Sequence, residues 1–248
     1  MNETLHSSVP VKRLSGRRIL ITGAASGIRR STARLFAAEG AALTLLDRDA
    51  QGLAGTARET GTHVFEVEVT DEASVAHAIS QGATAMGGID GVVNCAGAML
   101  HGSIQDVSVS EWRRVLDINL TGTYIVVRCC LPWLKQTPHS TIVNLGSGQS
   151  LLPNSPDRTV YSASKGGVLN LTRALAAELA PAIRANIVCP GLVDMPIAEG
   201  VQSNVGNYAL GRLAQPIEIA QAILYLTSTE SSYVTGATLA VDGGRSFH

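Results

Sequence analysis

From Arg17 onward the chain alternates between two hydrophobic rhythms. Seven short runs are apolar at nearly successive positions: RRILIT (17–22), AALTLLD (41–47), HVFEVE (63–68), GVVN (91–94), TIVNL (141–145), RANIVC (184–189) and TLAVD (238–242). Runs of this length and β-branched content read as strands, and their lack of strict alternation predicts a sheet covered on both faces. Between them, IRRSTARLFAAEG (28–40), DEASVAHAISQGATAM (71–86), the stretch Glu111 to Leu134, VYSASKGGVLNLTRALAAELA (160–180) and PIEIAQAILYLTS (216–228) carry apolar residues three and four apart, the period of a helix with one buried stripe. Ser108 and Glu111 have the spacing of a capping box, and Pro216 suits a first helical turn. Strand alternating with helix predicts parallel βαβ units: an α/β class, doubly wound single domain over 16–248, with about seven parallel strands and helices on both faces. Residues 1–15 are expected to form a flexible arm. Two irregular segments, Gly148 to Thr159 and Leu192 to Gln215, are where a substrate pocket and its lid (about 192–215) are to be sought.

Composition narrows the class of partner. Of 248 residues, 45% are hydrophobic and 16% charged, and 19 Lys plus Arg against 20 Asp plus Glu leave a net charge of −1. No basic run exceeds a pair such as Arg17-Arg18, so neither nucleic acid nor an anionic membrane is an expected partner. No run approaches the roughly eighteen continuous apolar residues of a spanning helix, and Met1 to Ser15 lacks an apolar signal core, so a cytoplasmic location is expected. Cys95, Cys129, Cys130 and Cys189 lie in or beside apolar runs without C-x-x-C spacing, which suits reduced thiols. The six histidines are scattered and predict no metal site.

The first strand runs into Thr22-Gly23-Ala24-Ala25-Ser26-Gly27-Ile28, with a helix directly after. Glycines there let backbone N–H groups approach a pyrophosphate at a helix N-terminus, the arrangement of a Rossmann dinucleotide site. The next strand ends at Asp47, about twenty residues on, where a carboxylate accepts hydrogen bonds from the adenosine ribose. A 2′-phosphate about 5 Å from that carboxylate costs roughly 3 kcal/mol at an effective dielectric near 20, so NAD is expected over NADP. Arg48 leaves NADP open as an alternative, because it can pair with the extra phosphate.

Tyr161 and Lys165 stand four residues apart on a helical segment and so share a face. Moving a phenol from its usual pKa near 10 to about 7 takes roughly 4 kcal/mol. A lysine cation about 5 Å away supplies roughly 3 of these, and an oxidised nicotinamide could supply the rest. The pair therefore suits acid/base catalysis.

Together these stretches resemble the short-chain dehydrogenase/reductase family over about Arg17 to Gly244. The residues that carry the resemblance are TGAASGI (22–28), Asp47, NCAG (94–97), Asn119 in DINLTG, Ser147 in IVNLGS, YSASK (161–165), Pro190-Gly191 and VTGATLAVDGG (234–244). The resemblance implies that Tyr161 exchanges a proton with the substrate oxygen and Lys165 binds the nicotinamide ribose. It further implies that Ser147 orients the carbonyl or hydroxyl, and that Asn119, where a long helix is interrupted, holds a water relay. It gives the cofactor Thr22, Gly23, Ser26, Gly27, Ile28, Asp47, Glu68, Val69, Asn94, Ala96, Gly97, Pro190, Gly191 and Val193 as contacts beside Tyr161 and Lys165. It also implies pairing of the long helices 112–134 and 160–180 between subunits, in a homotetramer or homodimer.

Departures are as informative. Cys95 replaces the family's more usual asparagine, Glu68-Val69 its Asp-Val, and Met195 a threonine that helps hold the carboxamide. Arg29 replaces the third glycine of the loop. Three readings of Arg29 remain open: an outward side chain of little effect, a working site with altered affinity, or a lost site. The function expected is an NAD-dependent oxidoreductase interconverting a secondary alcohol, neutral or polyol, with its ketone. The alternatives are a catalytically weak or silent dinucleotide-binding regulatory protein, an NADP-dependent ketone reductase, and use of the same tyrosine and lysine for dehydration or epimerisation. Met99, Leu100, His101, Gln149, Leu151, Leu152, Asn154 and the lid from Asp194 onward are the expected pocket lining. They include no arginine cluster to clamp a carboxylate.

Overall fold

A computed structural model describes residues 12–195 and 205–246. Seven parallel strands form one sheet in the order β3-β2-β1-β4-β5-β6-β7. They are β1 (Arg18–Thr22), β2 (Ala42–Asp47), β3 (His63–Glu66), β4 (Gly91–Asn94), β5 (Ser140–Leu145), β6 (Ile183–Pro190) and β7 (Thr238–Val241). All seven predicted runs are therefore strands, in the doubly wound arrangement expected. Their near-continuous hydrophobicity has a simple cause. In β1, Leu20 points into one core cluster while Ile19 and Ile21 point into the other, and Val92 and Val93 of β4 divide in the same way. With both sheet faces covered, both parities must be apolar.

One face is covered by α1 (Gly27–Ala38), α2 (Ala50–Thr60) and α8 (Pro216–Thr227), through Phe36, Leu53 and Ile223. The other is covered by α3 (Glu72–Met86), α5 (Gly122–Leu134) and α7 (Thr159–Leu179), through Ile79, Val126 and Leu175. Among the described residues, two further α-helices, α4 (Val109–Leu116) and α6 (Gly148–Leu151), sit in connections. Ser108 and Glu111 do form the predicted capping box on α4, and Pro216 opens α8. The α4–α5 rod, Val109 to Leu134, is long and apolar enough by composition to match a membrane span. Its Val126, Val127, Cys130 and Leu134 face is instead spent on the sheet core. Of the expected N-terminal arm, residues 1–11 lie outside the described residues. Leu14 is fully buried, its N–H donates to Glu39 O (3.0 Å), and Arg13 pairs with Glu230, so the chain is already anchored before Gly16.

The order of strands reverses between β1 and β4, since β1 leads outward to β2 and β3 while β4 leads outward to β5. Loops leaving the carboxyl ends of such a pair diverge, and the crevice between them is the natural ligand position of an open parallel sheet.

Candidate active site

The β1 lip of that crevice is the glycine loop. Gly23 lies at φ 73°, and a Cβ there would stand 2.9 Å from the backbone of Ala96 on the β4 lip. Gly27, at φ 59°, faces the Met195 sulfur, which would lie 2.6 Å from its Cβ. The two lips thus approach as closely as they do because neither position carries a side chain. Asp47 fixes the loop from β2: Oδ2 accepts from the Ala25 N–H (2.8 Å) and Oδ1 from the Asp49 N–H (3.0 Å). Ser26 precedes α1 without capping it by its side chain, and Ile28 is buried below it.

The predicted cofactor residues divide into two groups. Gly23, Asp47, Glu68, Val69, Ala96 and Gly97 line the crevice. Thr22 and Asn94, by contrast, are buried beneath it. The Thr22 hydroxyl accepts the N–H groups of Cys95 and Ala96, both at 3.1 Å, and so ties β1 to the β4 lip. Asn94 Nδ2 donates to Asn144 Oδ1 (2.9 Å), which links onward to Thr172. Further along, Gly191 N–H donates to Val241 O, and Val193 pairs with Ala214 in an isolated parallel bridge. Pro190 and Gly191 thus lead from the end of β6 into the lid. Of that lid, residues 196–204 lie outside the described residues.

The crevice floor leads into a second cluster. Lys165 is 5% exposed, and its Nζ donates to Leu145 O at the end of β5 (2.8 Å). Ser147 precedes α6 and accepts the Gln149 N–H (3.1 Å), while its own hydroxyl proton is directed toward Tyr161. Ser150 Oγ donates to Lys165 O (2.9 Å), holding α6 against α7. Asn119 stands in a π-helical turn, Asp117–Thr121, between α4 and α5. This is the interruption predicted for the long helix, and such turns mark inserted function more often than chance. Its Oδ1 accepts the Ala98 N–H (2.7 Å), and its Nδ2 donates to Ala98 O and Ser164 Oγ, both at 2.9 Å. Ser164 donates in turn to Tyr161 O (2.8 Å). A Cβ on Gly97 would lie 3.2 Å from Asn119 Oδ1 and 3.5 Å from Lys165 Nζ, so one small gap joins the β4 lip to the cluster. The four predicted catalytic residues are therefore brought together beside the crevice.

Burial changes the electrostatics expected of them. Desolvation raises the Tyr161 phenol above its ordinary value, opposed by hydrogen bonding to Ser147 and by the charges of Arg158 and Arg29. Lys165 is pushed down to about 8, chiefly by burial and then by Arg29. In the free protein, then, burial sets the direction for both groups, because removing a charge from water disfavours their ionised forms. Cys95 behaves likewise: burial pushes its thiol up to about 11, leaving it inert.

Arg29 does not turn outward. Its stem lies over Gly23, with Cδ 2.9 Å from where a Cβ would stand, and its side chain lines the crevice. Helical Cα–Cβ bonds tilt toward the N-terminus, so a first-turn side chain leans back over the preceding loop. Arg30, next in the chain, goes the other way and shares Glu59 with Arg34. On the pocket side, two further arginines escaped the sequence reading. Arg158 donates to the Met99 sulfur (3.2 Å), and Arg245, buried, binds Asn154 and Ser155 of the loop after Ser147. Gln149 is likewise tied down, donating to Ser155 (2.7 Å) and accepting from Ser162 (3.1 Å). No local pattern flags Arg245, which lies 90 residues from its partners. The residues present fit a dinucleotide: the glycines clear backbone for close approach, Asp47 stands at the outer end, and two cations, Arg29 and Lys165, face the inner end.

Comparison with known proteins decides the family. A family profile described as enoyl-(acyl carrier protein) reductase matches residues 23–246. This chain belongs to the short-chain dehydrogenase/reductase family. A 3-alpha-(or 20-beta)-hydroxysteroid dehydrogenase of Mycobacterium bovis is 37% identical over 236 residues, 94% of this chain and 90% of the relative. A trans-4-hydroxycyclohexanecarboxylate dehydrogenase of Sinomonas cyclohexanicum is 38% identical, covering 94% and 93%. The ligand-free structure of aldohexose dehydrogenase from Thermoplasma acidophilum superposes with a TM-score of 0.88 at 31% identity, over 96% of this chain and 97% of that one. As a short-chain dehydrogenase/reductase the chain is an oxidoreductase acting on CH–OH groups, in a family whose dehydrogenases use nicotinamide dinucleotides.

Proposed function

We propose that this dehydrogenase uses NAD to interconvert a secondary alcohol and its ketone, with Tyr161 as the general acid/base. The observation that carries the reading is the meeting of Tyr161, Ser147 and Lys165 at the carboxyl end of β5, next to the crevice through Gly97. The nicotinamide supplies the hydride acceptor or donor when bound. Ser147 redirects its hydroxyl proton from Tyr161 to the substrate oxygen and holds that oxygen beside the Tyr161 hydroxyl. Tyr161 gives or takes the proton at that oxygen, and Lys165, whose ammonium stands in the same buried cluster, stabilises the phenolate form. Asn119 keeps the Ala98 backbone and the Tyr161 turn in register, and its Oδ1, which like Lys165 Nζ lies beside Gly97, serves as a station for a relay water.

NAD preference rests on Asp47, whose carboxylate is fixed at the outer end of the crevice by two backbone N–H groups. Arg48 is engaged by Glu68 (3.7 Å), which weakens the case for NADP. Turnover of a panel of secondary alcohols and ketones with NAD(H) and NADP(H) tests the assignment. We expect kcat/KM to favour NAD by about a hundredfold, and a preference for NADP would overturn it. The substrate class proposed is a neutral secondary alcohol, polyol or ketone, although Arg158 and Arg245 bring more positive charge to the pocket side than the sequence reading gave it.

A second reading, a dinucleotide-binding regulatory protein without turnover, draws on one observation: the Arg29 side chain lies over Gly23 and into the crevice. Binding of NADH without turnover over the whole panel would favour that reading. We further propose self-association into a tetramer or dimer, supported by Val109, Trp112 and Tyr124 standing exposed along the α4–α5 rod, and measurable by light scattering.

A further inference from the structure

Arg29 is the crevice residue that the catalytic account leaves without a task. Its neighbours have partners: Arg30 and Arg34 share Glu59, and Arg48 meets Glu68. Among the described residues, Arg29 has no carboxylate within ion-pair distance and makes no hydrogen bond. Lys165, the other cation at the inner end, is bonded to a neutral carbonyl. The acids nearby are committed elsewhere, Asp47 to two N–H groups at the outer end and Glu68 to Arg48. Among the described residues, then, two cations without a carboxylate partner flank the gap between the glycine loop and Gly97.

We propose that Arg29 is the anion-binding side chain of this crevice, its guanidinium pairing with the pyrophosphate of the dinucleotide. This rests on the dinucleotide reading above. The physical case has three parts. A guanidinium presents a planar fork of donors that matches phosphate oxygens, and charge-assisted bonds of this kind are about twice as strong as neutral ones. An anion between Arg29 and Lys165 removes the mutual repulsion that helps hold the lysine down at about 8. Finally, Arg29 lies over Gly23 and lines the crevice, so a dinucleotide seated on the glycine loop meets its side chain, which can lift to receive it. Lifting it breaks no ion pair or hydrogen bond among the described residues, which makes the movement cheap.

Calorimetric titration of the wild type, Arg29→Gln, Arg29→Gly and Arg29→Lys with NADH, adenosine and inorganic pyrophosphate tests this, with thermal midpoints to confirm folding. NADH and pyrophosphate should bind Arg29→Gln on the order of ten- to hundredfold more weakly. Adenosine should bind equally to both, and Arg29→Lys should fall between. Equal or tighter NADH binding by Arg29→Gln and Arg29→Gly would show an obstruction and overturn the proposal. If NADH fails to bind the wild type, the dinucleotide reading falls, and pyrophosphate decides this proposal separately. Arginine-dependent pyrophosphate binding then sustains it; binding that ignores Arg29, or none, overturns it.

Discussion

At the residue scale, the spacing of Tyr161 and Lys165 was legible in the sequence and the sign of their electrostatics was not. A Coulomb argument at an assumed distance treats the lysine as a fixed cation. Burial beneath the crevice makes it a reluctant one, and whether a side chain ends 5% exposed depends on packing from β4, β5 and the π-helical turn, which no local pattern reveals. A consequence for stability follows. The folded-state pKa of Lys165 is about 8 against 10.5 in the unfolded chain. Between these values the unfolded state binds more protons, so stability rises with pH across that window; below it the folded protein carries a buried charge at full cost. Lys165→Met should therefore be more stable than the wild type at pH 7, by on the order of 1–2 kcal/mol after loss of the Leu145 hydrogen bond. The advantage should shrink from pH 8, vanish at about pH 9 and reverse above it, because the wild type regains about 1.4 kcal/mol per pH unit across that window. Urea unfolding at several pH values measures it, and a pH-independent difference would contradict the assignment.

Arg29 belongs to the same scale. That it replaces a glycine was plain from the sequence, and the tilt of helical side chains gives its direction once the helix start is known. What the sequence could not supply was that no described carboxylate pairs with it: Glu59 is taken by Arg30 and Arg34, and that depends on where α2 lies.

At the element scale, the strands and the long amphipathic helices were legible because their hydrophobic periods are sustained. Helix α2, Ala50–Thr60, was missed. Its Gly52 and Gly55 lower its propensity, and only Leu53 and Thr56 are buried, so no apolar stripe exists to read. Its termini were the available signal: Asp49 caps it by accepting the Gly52 N–H, and Gly61 closes it in the left-handed conformation. The π-helical turn shows how an element carries function. Its extra residue turns Asn119 inward, where one amide satisfies an N–H, a carbonyl and a hydroxyl in a fully buried position. Asn119→Ala leaves those groups unpaired and should cost about 2–3 kcal/mol in urea unfolding. NADH affinity should fall with it, since the β4 lip is held by these same bonds. A loss within 0.5 kcal/mol would mean that the amide is not the link described.

At the scale of the whole molecule, the sheet and the helix layers are joined at the end opposite the site by Asp90. Its carboxylate, 5% exposed, receives the guanidinium groups of both Arg17 and Arg18. Arg17 extends the link to Thr141 of β5 and to the carbonyl of Thr227 at the end of α8. The sequence displayed Arg17-Arg18 only as a basic pair, since its partner lies more than 70 residues away. Asp90→Ala strands two partly buried cations and should destabilise the fold by about 3 kcal/mol. With the carboxyl ends of the strands untouched, turnover at low temperature should change little. A large kcat effect in a folded variant would mean that the two ends of the sheet are coupled.

The central claim is that Tyr161 moves the proton while the crevice holds the dinucleotide. The most direct measurement is turnover and NADH binding by Tyr161→Phe, compared with the wild type on whichever secondary alcohol or ketone the wild type accepts. In the proposed mechanism the hydroxyl acts on the reacting oxygen and not on the glycine loop, so kcat should fall by on the order of 10²–10⁴ while NADH affinity stays within a few-fold. Undiminished kcat in the phenylalanine variant would contradict the account.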